Sequence, residues 1–378
     1  MEHGAGQIKS IENALGQMSY RAYDALGRAT HTWGETDYPQ AYTYTDYAET
    51  ETLTTWRDTG INFSTATWPN PSGGDTTNWI YDEPTGLLTR KEYADSEGTD
   101  YTYTTAGQLA TRTWARGVVT TYVYDSQTGE LTDVTYSDST PALAFTYNRI
   151  GQQATITDAT GTRSFDYDPA TFQLTAENLD ATFYDGLVLT RQYQTGNETH
   201  GLKGRASGYS LGTQPSPVAS AAYTYTEQGR LHTITDGTDT FTYDYKTNSN
   251  LLASMEGPVH AVSYSYEPNR DLMSSIDNKA GNLTGSSISK YTYQHDALNR
   301  RTDRTQSGSA IATTNTDTFS YNPRSEVIGS ENDITSAAVW NPSYTYDPIG
   351  NRLTSTGFFE EAGKDDMGGV VRSEKSLN

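Results

Sequence analysis

The 378-residue chain has no cysteine, which excludes disulfide frameworks, thiol nucleophiles and zinc–thiolate sites. It is poor in large aliphatic residues. Hydrophobic residues make up only 34% of the chain, and aromatic ones supply 12%. A large two-layered α/β enzyme needs a thick Leu/Ile/Val core, and this composition does not supply one. No apolar run approaches about 18 residues, so no membrane-spanning helix is expected. Positive charge is scarce as well: 26 Lys and Arg face 47 Asp and Glu, a net charge of -21. Such a surface repels polyanions, which argues against nucleic acid as a partner. Residues 1–20 lack a basic stretch followed by an apolar one, so no signal peptide is read there.

What the chain does have is tyrosine, 29 of them, with six tryptophans. Disordered chains avoid aromatics, so the composition points to a folded protein held by aromatic surfaces. The tyrosines fall in a recurrent phrase. Tyr23-Asp24-Ala25-Leu26-Gly27-Arg28 returns as Tyr346-Asp347-Pro348-Ile349-Gly350-Asn351-Arg352. Between them lie Tyr103 with Gly107 and Tyr225 with Gly229. Forms with one more residue before glycine are Tyr81-Asp82 with Gly86 and Tyr124-Asp125 with Gly129. Looser copies begin at Tyr147 (with Gly151), Tyr167-Asp168, Tyr245, Tyr266, Tyr293 and Tyr321. Most leading tyrosines recur every 20 to 28 residues or so, a period that suits two strands and two turns.

The local chemistry agrees. Asp at the first turn position accepts backbone N–H bonds two residues on, and Gly at the fourth takes the left-handed conformation that closes a hairpin. Upstream, Asn13-Ala14-Leu15-Gly16, Asp95-Ser96-Glu97-Gly98 and Asp158-Ala159-Thr160-Gly161 read as second turns of the unit. Aromatics two apart, such as Tyr101 and Tyr103 or Phe145 and Tyr147, share one strand face. Ile8–Met18 is the best helical candidate, with the Asn13 turn competing for it. The expected fold is all-β: repetitive antiparallel hairpins forming a continuous spiralling sheet over residues 1–356. An irregular insertion is expected at about 196–222 and a disordered tail at 357–378.

These phrases resemble the YD repeats of the RHS family, over about residues 8–356. That family includes bacterial Rhs toxins, the B and C components of Tc toxins, wall-associated proteins and teneurins. The resemblance implies repeats wound into a hollow shell, which in toxin members encloses a C-terminal effector. The self-cleaving core of those members is not matched, so no catalytic aspartate is carried over. The chain is therefore expected to be a stretch of non-enzymatic shell wall from a secreted or cell-surface bacterial protein. Its expected partners are the remaining shell or core and an effector polypeptide. As a partial wall it is expected to expose a sheet edge and to self-associate as salt rises.

The turn aspartates do not converge as a calcium loop requires, and the histidines (His3, His31, His200, His232, His260, His295) lack metal or triad spacing, so no metal, cofactor or catalytic residue is expected. The tyrosines admit two readings. Stacked across strands they form a structural ladder. Exposed with Trp33, Trp56, Trp68, Trp79, Trp114 and Trp340 they stack on sugar rings, which makes a carbohydrate-binding surface module the alternative. One aromatic pair per repeat favours the ladder.

Overall fold

The computed structural model describes residues 3–4, 6–212, 217–334 and 341–356. The proposed tail at 357–378 and Trp340 lie outside the described residues. The described chain is nearly all-β and antiparallel, as expected. Its one α-helix is the four-residue Ala181–Tyr184, which starts where the Asp180 carboxylate accepts the Thr182 N–H. Among the described residues no helix is long and apolar enough to cross a membrane.

The contacts divide the chain into two compact units. One comprises Thr99–Tyr264 and Asn278–Ser286. Within it, from Leu109–Thr113 through to His260–Tyr266, each strand pairs antiparallel with the strand that follows. The other comprises Met1–Gly98, Ser265–Asp277 and Ser287–Asn378. It contains two runs with the same rule of succession, Ser10–Glu12 to Leu88–Glu92 and Ser287–His295 to Arg352–Thr356. No described pairing joins the last strand of a run to its first, so each run is an open sheet.

The register is set by a repeated irregularity. Thr102 pairs with Thr111, but Tyr103 pairs with Leu109, so one residue bulges out beside the turn. The same shift occurs at Tyr23, Tyr124, Tyr147, Tyr167, Tyr225 and Tyr346. A left-handed residue at the turn's end produces such a bulge and increases local twist. Between the two aromatics of each pair the intervening residue faces solvent. There threonines nine apart bond across the strands: Thr43–Thr52, Thr102–Thr111, Thr146–Thr155, Thr224–Thr233 and Thr345–Thr354, at 2.6–2.8 Å. One face is thus a half-buried phenol row and the other an exposed threonine row.

The Ile8–Met18 stretch resolves in favour of the turn. Ser10–Glu12 and Met18–Tyr23 are strands, and the Asn13 carboxamide accepts the N–H of Leu15 and Gln17. Within 196–222 the array continues: Ala206–Leu211 pairs with strands on both sides, including Ala219–Tyr225. Its irregular part here is the Gln194–Arg205 loop. The turn expected at Asp95–Gly98 sits two residues earlier. Ser96 N–H donates to the Tyr93 carbonyl, and Ser96 takes the left-handed place at φ 68°. Gly98 serves close packing instead, because a Cβ there would lie 2.5 Å from the Lys91 carbonyl oxygen.

The densest apolar packing is aromatic. Trp33, Trp56 and Phe63 are buried, with Trp68 edge-on to both tryptophans at 5.5 and 5.2 Å. The connection between Thr50–Thr55 and Asp75–Tyr81 supplies Trp56, Phe63 and Trp68 and folds onto Trp33. The indole N–H of Trp33 is satisfied by the Thr65 carbonyl at 2.8 Å.

Candidate functional site

The predicted turn residues build one device repeatedly. Asp24 Oδ1 accepts the N–H of Leu26 and Arg28, both at 2.9 Å, while Gly27 N–H donates to the Asp24 carbonyl at 3.1 Å and Gly27 sits at φ 85°. Asp347 repeats this with Ile349, Asn351 and Gly350. Asp125 and Asp168 each accept two N–H bonds in the longer turn form. Those bonds hold both carboxyls below the usual carboxylate range, the Thr128 and Thr171 N–H groups contributing most. In the Tyr103 and Tyr225 turns a threonine hydroxyl does the same work, accepting from Gln108 and Arg230.

The leading tyrosines form the second device. At least eleven described tyrosines donate their hydroxyl to a backbone carbonyl of an earlier strand, at 2.6–3.0 Å. The acceptor follows a rule. Tyr124 is paired with Leu131, and the next leading tyrosine, Tyr147, donates to Leu131. Tyr147 is paired with Gln153, and Tyr167 donates to Gln153. Tyr167 is paired with Leu174, and Tyr193 donates to Leu174. In all of these tyrosines but Tyr23, whose acceptor is Ile8, the phenol therefore reaches the carbonyl of the residue opposite the preceding bulge. A buried carbonyl left without a donor costs about 1–3 kcal/mol, so the bulge and the tyrosine depend on each other. Burial pushes the phenols of Tyr81, Tyr124 and Tyr346 above their ordinary pKa, helped by Glu49, Tyr122 and Glu326 respectively.

The residue after the left-handed turn position, whether that is a glycine or Phe172 or Asn299, forms a third. Gln108 donates to the Gly129 carbonyl, Gln152 to Phe172 and Gln173 to Gly204, at 2.7–2.9 Å. Arg28 reaches Thr45, Arg230 reaches Ser249 and Arg300 reaches Asn322 in the same way. The arginines also lie over the next repeat's phenol, Arg28 over Tyr44 at 4.5 Å and Arg230 over Tyr245 at 4.4 Å. These turns are thus clamped to the next. Arg352 is not the counterpart of Arg28: Asn351 follows the glycine and bonds Asp347, while Arg352 lies over Tyr344.

Several ladder members escape the sequence phrase. Tyr44 and Tyr193 are full rungs; the Tyr42–Tyr44 alternation signalled the first, but the long loop after Tyr193 hid the second. Near Tyr293 the register shift falls at His295, which pairs with Arg301. His295 therefore holds the position that leading tyrosines hold elsewhere. Its Nδ1 lies 3.0 Å from Glu267 Oε1, and Arg270 bonds the other oxygen of Glu267. Tyr293 is buried beneath Arg301.

The aromatic residues a sugar surface needs are mostly engaged. Trp33 and Trp56 are each 5% exposed. Arg112 covers Trp114 at 3.5 Å, and Lys91 lies over Trp79 at 5.3 Å. A cavity of about 740 Å³ lies between Tyr44, Tyr47, Trp79 and Tyr81. Four of its six carboxylates are tied to neighbours: Glu49 to Thr45, Glu51 to Thr43, Asp82 to Thr85 and Glu92 to Arg90. Among the described residues no group of three His, Asp or Glu is placed to hold a metal ion.

No protein-family model and no curated protein matches the chain. Solved structures do. The crystal structure of TcdB2-TccC3-TEV matches over 90% of this chain and 23% of that one, at 14% identity and a TM-score of 0.47. A Photorhabdus luminescens Tc holotoxin pore matches at 14% identity and a TM-score of 0.46, over 90% of this chain and 22% of that one. TcdB2-TccC3 without its hypervariable C-terminal region gives 14% and 0.47 over 90% and 22%. The chain spans less than a quarter of the length of these toxin chains.

Proposed function

We propose that the chain is a non-enzymatic scaffold: a section of RHS-type β-wall, from an exported or cell-surface bacterial protein, that encloses or displays a polypeptide. The observation that carries this reading is the phenol ladder. Its hydroxyls, with the clamp amides and guanidinia, are spent on joining one repeat to the next. Such a sheet gains stiffness from every added repeat, since each repeat satisfies a carbonyl of the one before. The acidic surface keeps it soluble and repels like-charged neighbours. Shell partners and the passenger polypeptide follow from the same reading.

The test is a fusion. A marginally stable globular passenger is placed after Asn378, and its protease half-life is compared with that of the same passenger mixed in trans. The scaffold reading expects slower cleavage in the fusion. Equal half-lives, or glycan-array binding that Trp114→Ala abolishes, would overturn it.

A further inference from the structure

Within the unit that holds both Met1–Gly98 and Ser287–Asn378, one contact spans 288 positions of sequence: the Tyr38 hydroxyl donates to Glu326 Oε1 at 2.9 Å. Tyr38 sits in the connection between the strands Ala29–Gly34 and Gln40–Tyr44, and the adjoining Pro39 is fully buried. Glu326 follows the left-handed residue of its turn, Ser325, and so occupies the clamp position. A carboxylate cannot donate to the next turn's carbonyl. Arg324 does so instead, reaching the Asp347 carbonyl at 3.1 Å. Glu326 is left to accept.

Its two oxygens divide the work. Oε2 takes Asn322 and Arg324, and Oε1 takes Tyr38. The Arg324 guanidinium lies 5.5 Å from the centre of the Tyr38 ring. Gly350 completes the seat, because a Cβ there would stand 2.7 Å from the Tyr38 oxygen. The described contacts between this N-terminal segment and the turn at Asn322–Glu326 are the Tyr38–Glu326 bond and the Arg324 guanidinium beside the Tyr38 ring. The strands Leu131–Tyr136, Leu143–Tyr147 and Gln153–Asp158, by contrast, are joined by ladder pairs and the Tyr147 rung. These two segments meet through side chains.

We infer that Tyr38 is a latch: it holds two chain segments of this unit together and marks the joint that opens first. A charge-assisted bond is stronger than a neutral one, yet this is one bond at an exposed phenol and not a ladder. In a wall that shelters a polypeptide, such a joint is the exit, a use that rests on the scaffold reading. The latch itself does not.

Hydrogen–deuterium exchange on the full chain decides it, using Tyr38→Phe, Glu326→Ala and the double variant. The latch expects exchange in residues 35–40 and 322–327 to rise together, roughly three- to tenfold in either single variant. The double variant should rise no further than the singles. A rise on one side only, additive effects in the double, or a uniform rise along the whole chain would overturn the latch. Failure of the passenger experiment would leave this result standing, so the two readings fail separately.

Discussion

Tyr147 donates its hydroxyl to the carbonyl of Leu131 at 2.9 Å, and Leu131 is the bulge partner of Tyr124, the leading tyrosine of the preceding repeat. One phenol therefore repairs the irregularity that another repeat's turn creates. This explains why the phrase joins an aromatic to a tight turn: Asp and Gly make the bulge, and the next tyrosine satisfies the carbonyl it frees.

The clamp should be separable from the ladder. Gln152→Met removes the bond to the Phe172 carbonyl and the one from Asn148. We expect a loss of about 1–2 kcal/mol in urea unfolding, with faster amide exchange at residues 168–173. An unchanged midpoint would show that the clamp only decorates the edge.

The left-handed turn position can be tested in both directions. Gly151 sits at φ 80°, and Phe172 takes the equivalent place at φ 60°. Gly151→Ala should cost about 1 kcal/mol. Phe172→Gly should lie within about 1 kcal/mol of the parent, because relief of strain offsets the lost ring, which is 56% exposed. Thermal melts of the two variants check the pair, and a large loss in the second would contradict the turn assignment.

Acid should loosen the turns. Asp125 and Asp168 are held below the ordinary carboxylate value by turn N–H groups. Depressed folded values mean that their contribution is complete above about pH 4 and is lost as pH falls below it. Glu198, lowered to about 2 chiefly by the Thr195 N–H, should keep its loop closed further into acid. Carboxyl chemical shifts followed from pH 6 down to about 1.5 would show this order, and an ordinary midpoint for Glu198 would contradict it.

Alkali should act on the rungs. The phenols of Tyr81, Tyr124 and Tyr346 are raised by burial, so the fold favours their protonated form. That contribution is complete below about pH 10 and is lost as pH climbs through the raised values. Ring resonances of these three should therefore shift to the phenolate form late and together with loss of β-structure. Ordinary titration of these three in a folded sheet would contradict the ladder.

Much of the fold was legible because its causes are local. Asp24, Gly27 and Gly350 carry turn chemistry within five residues, and Tyr101 and Tyr103 carry strand alternation within three. What escaped depends on partners distant in sequence. Gln108, Gln152 and Gln173 look like ordinary polar residues until the next turn is placed beside them. His295 breaks the tyrosine pattern, and only the register shows that it occupies a rung. Asp95–Gly98 reads as a turn although the turn ends at Ser96, because Gly98 is a glycine for packing against Lys91, a reason that leaves the same mark in sequence as a turn. Trp56 was set beside Trp114 as a surface candidate, yet the 56–74 connection buries it.

The central claim, that each repeat is held by the next one's phenol, is tested most directly by Tyr147→Phe, which deletes one oxygen and keeps the ring. Amide exchange measured across the whole chain should rise around Leu131 and in the strand Gln153–Asp158, with a loss of about 1 kcal/mol in global stability. Exchange at distant turns such as Asp24–Arg28 should be unchanged. If Tyr147→Phe leaves the Leu131 region as protected as in the parent, the phenol ladder does not join the repeats, and the account is contradicted.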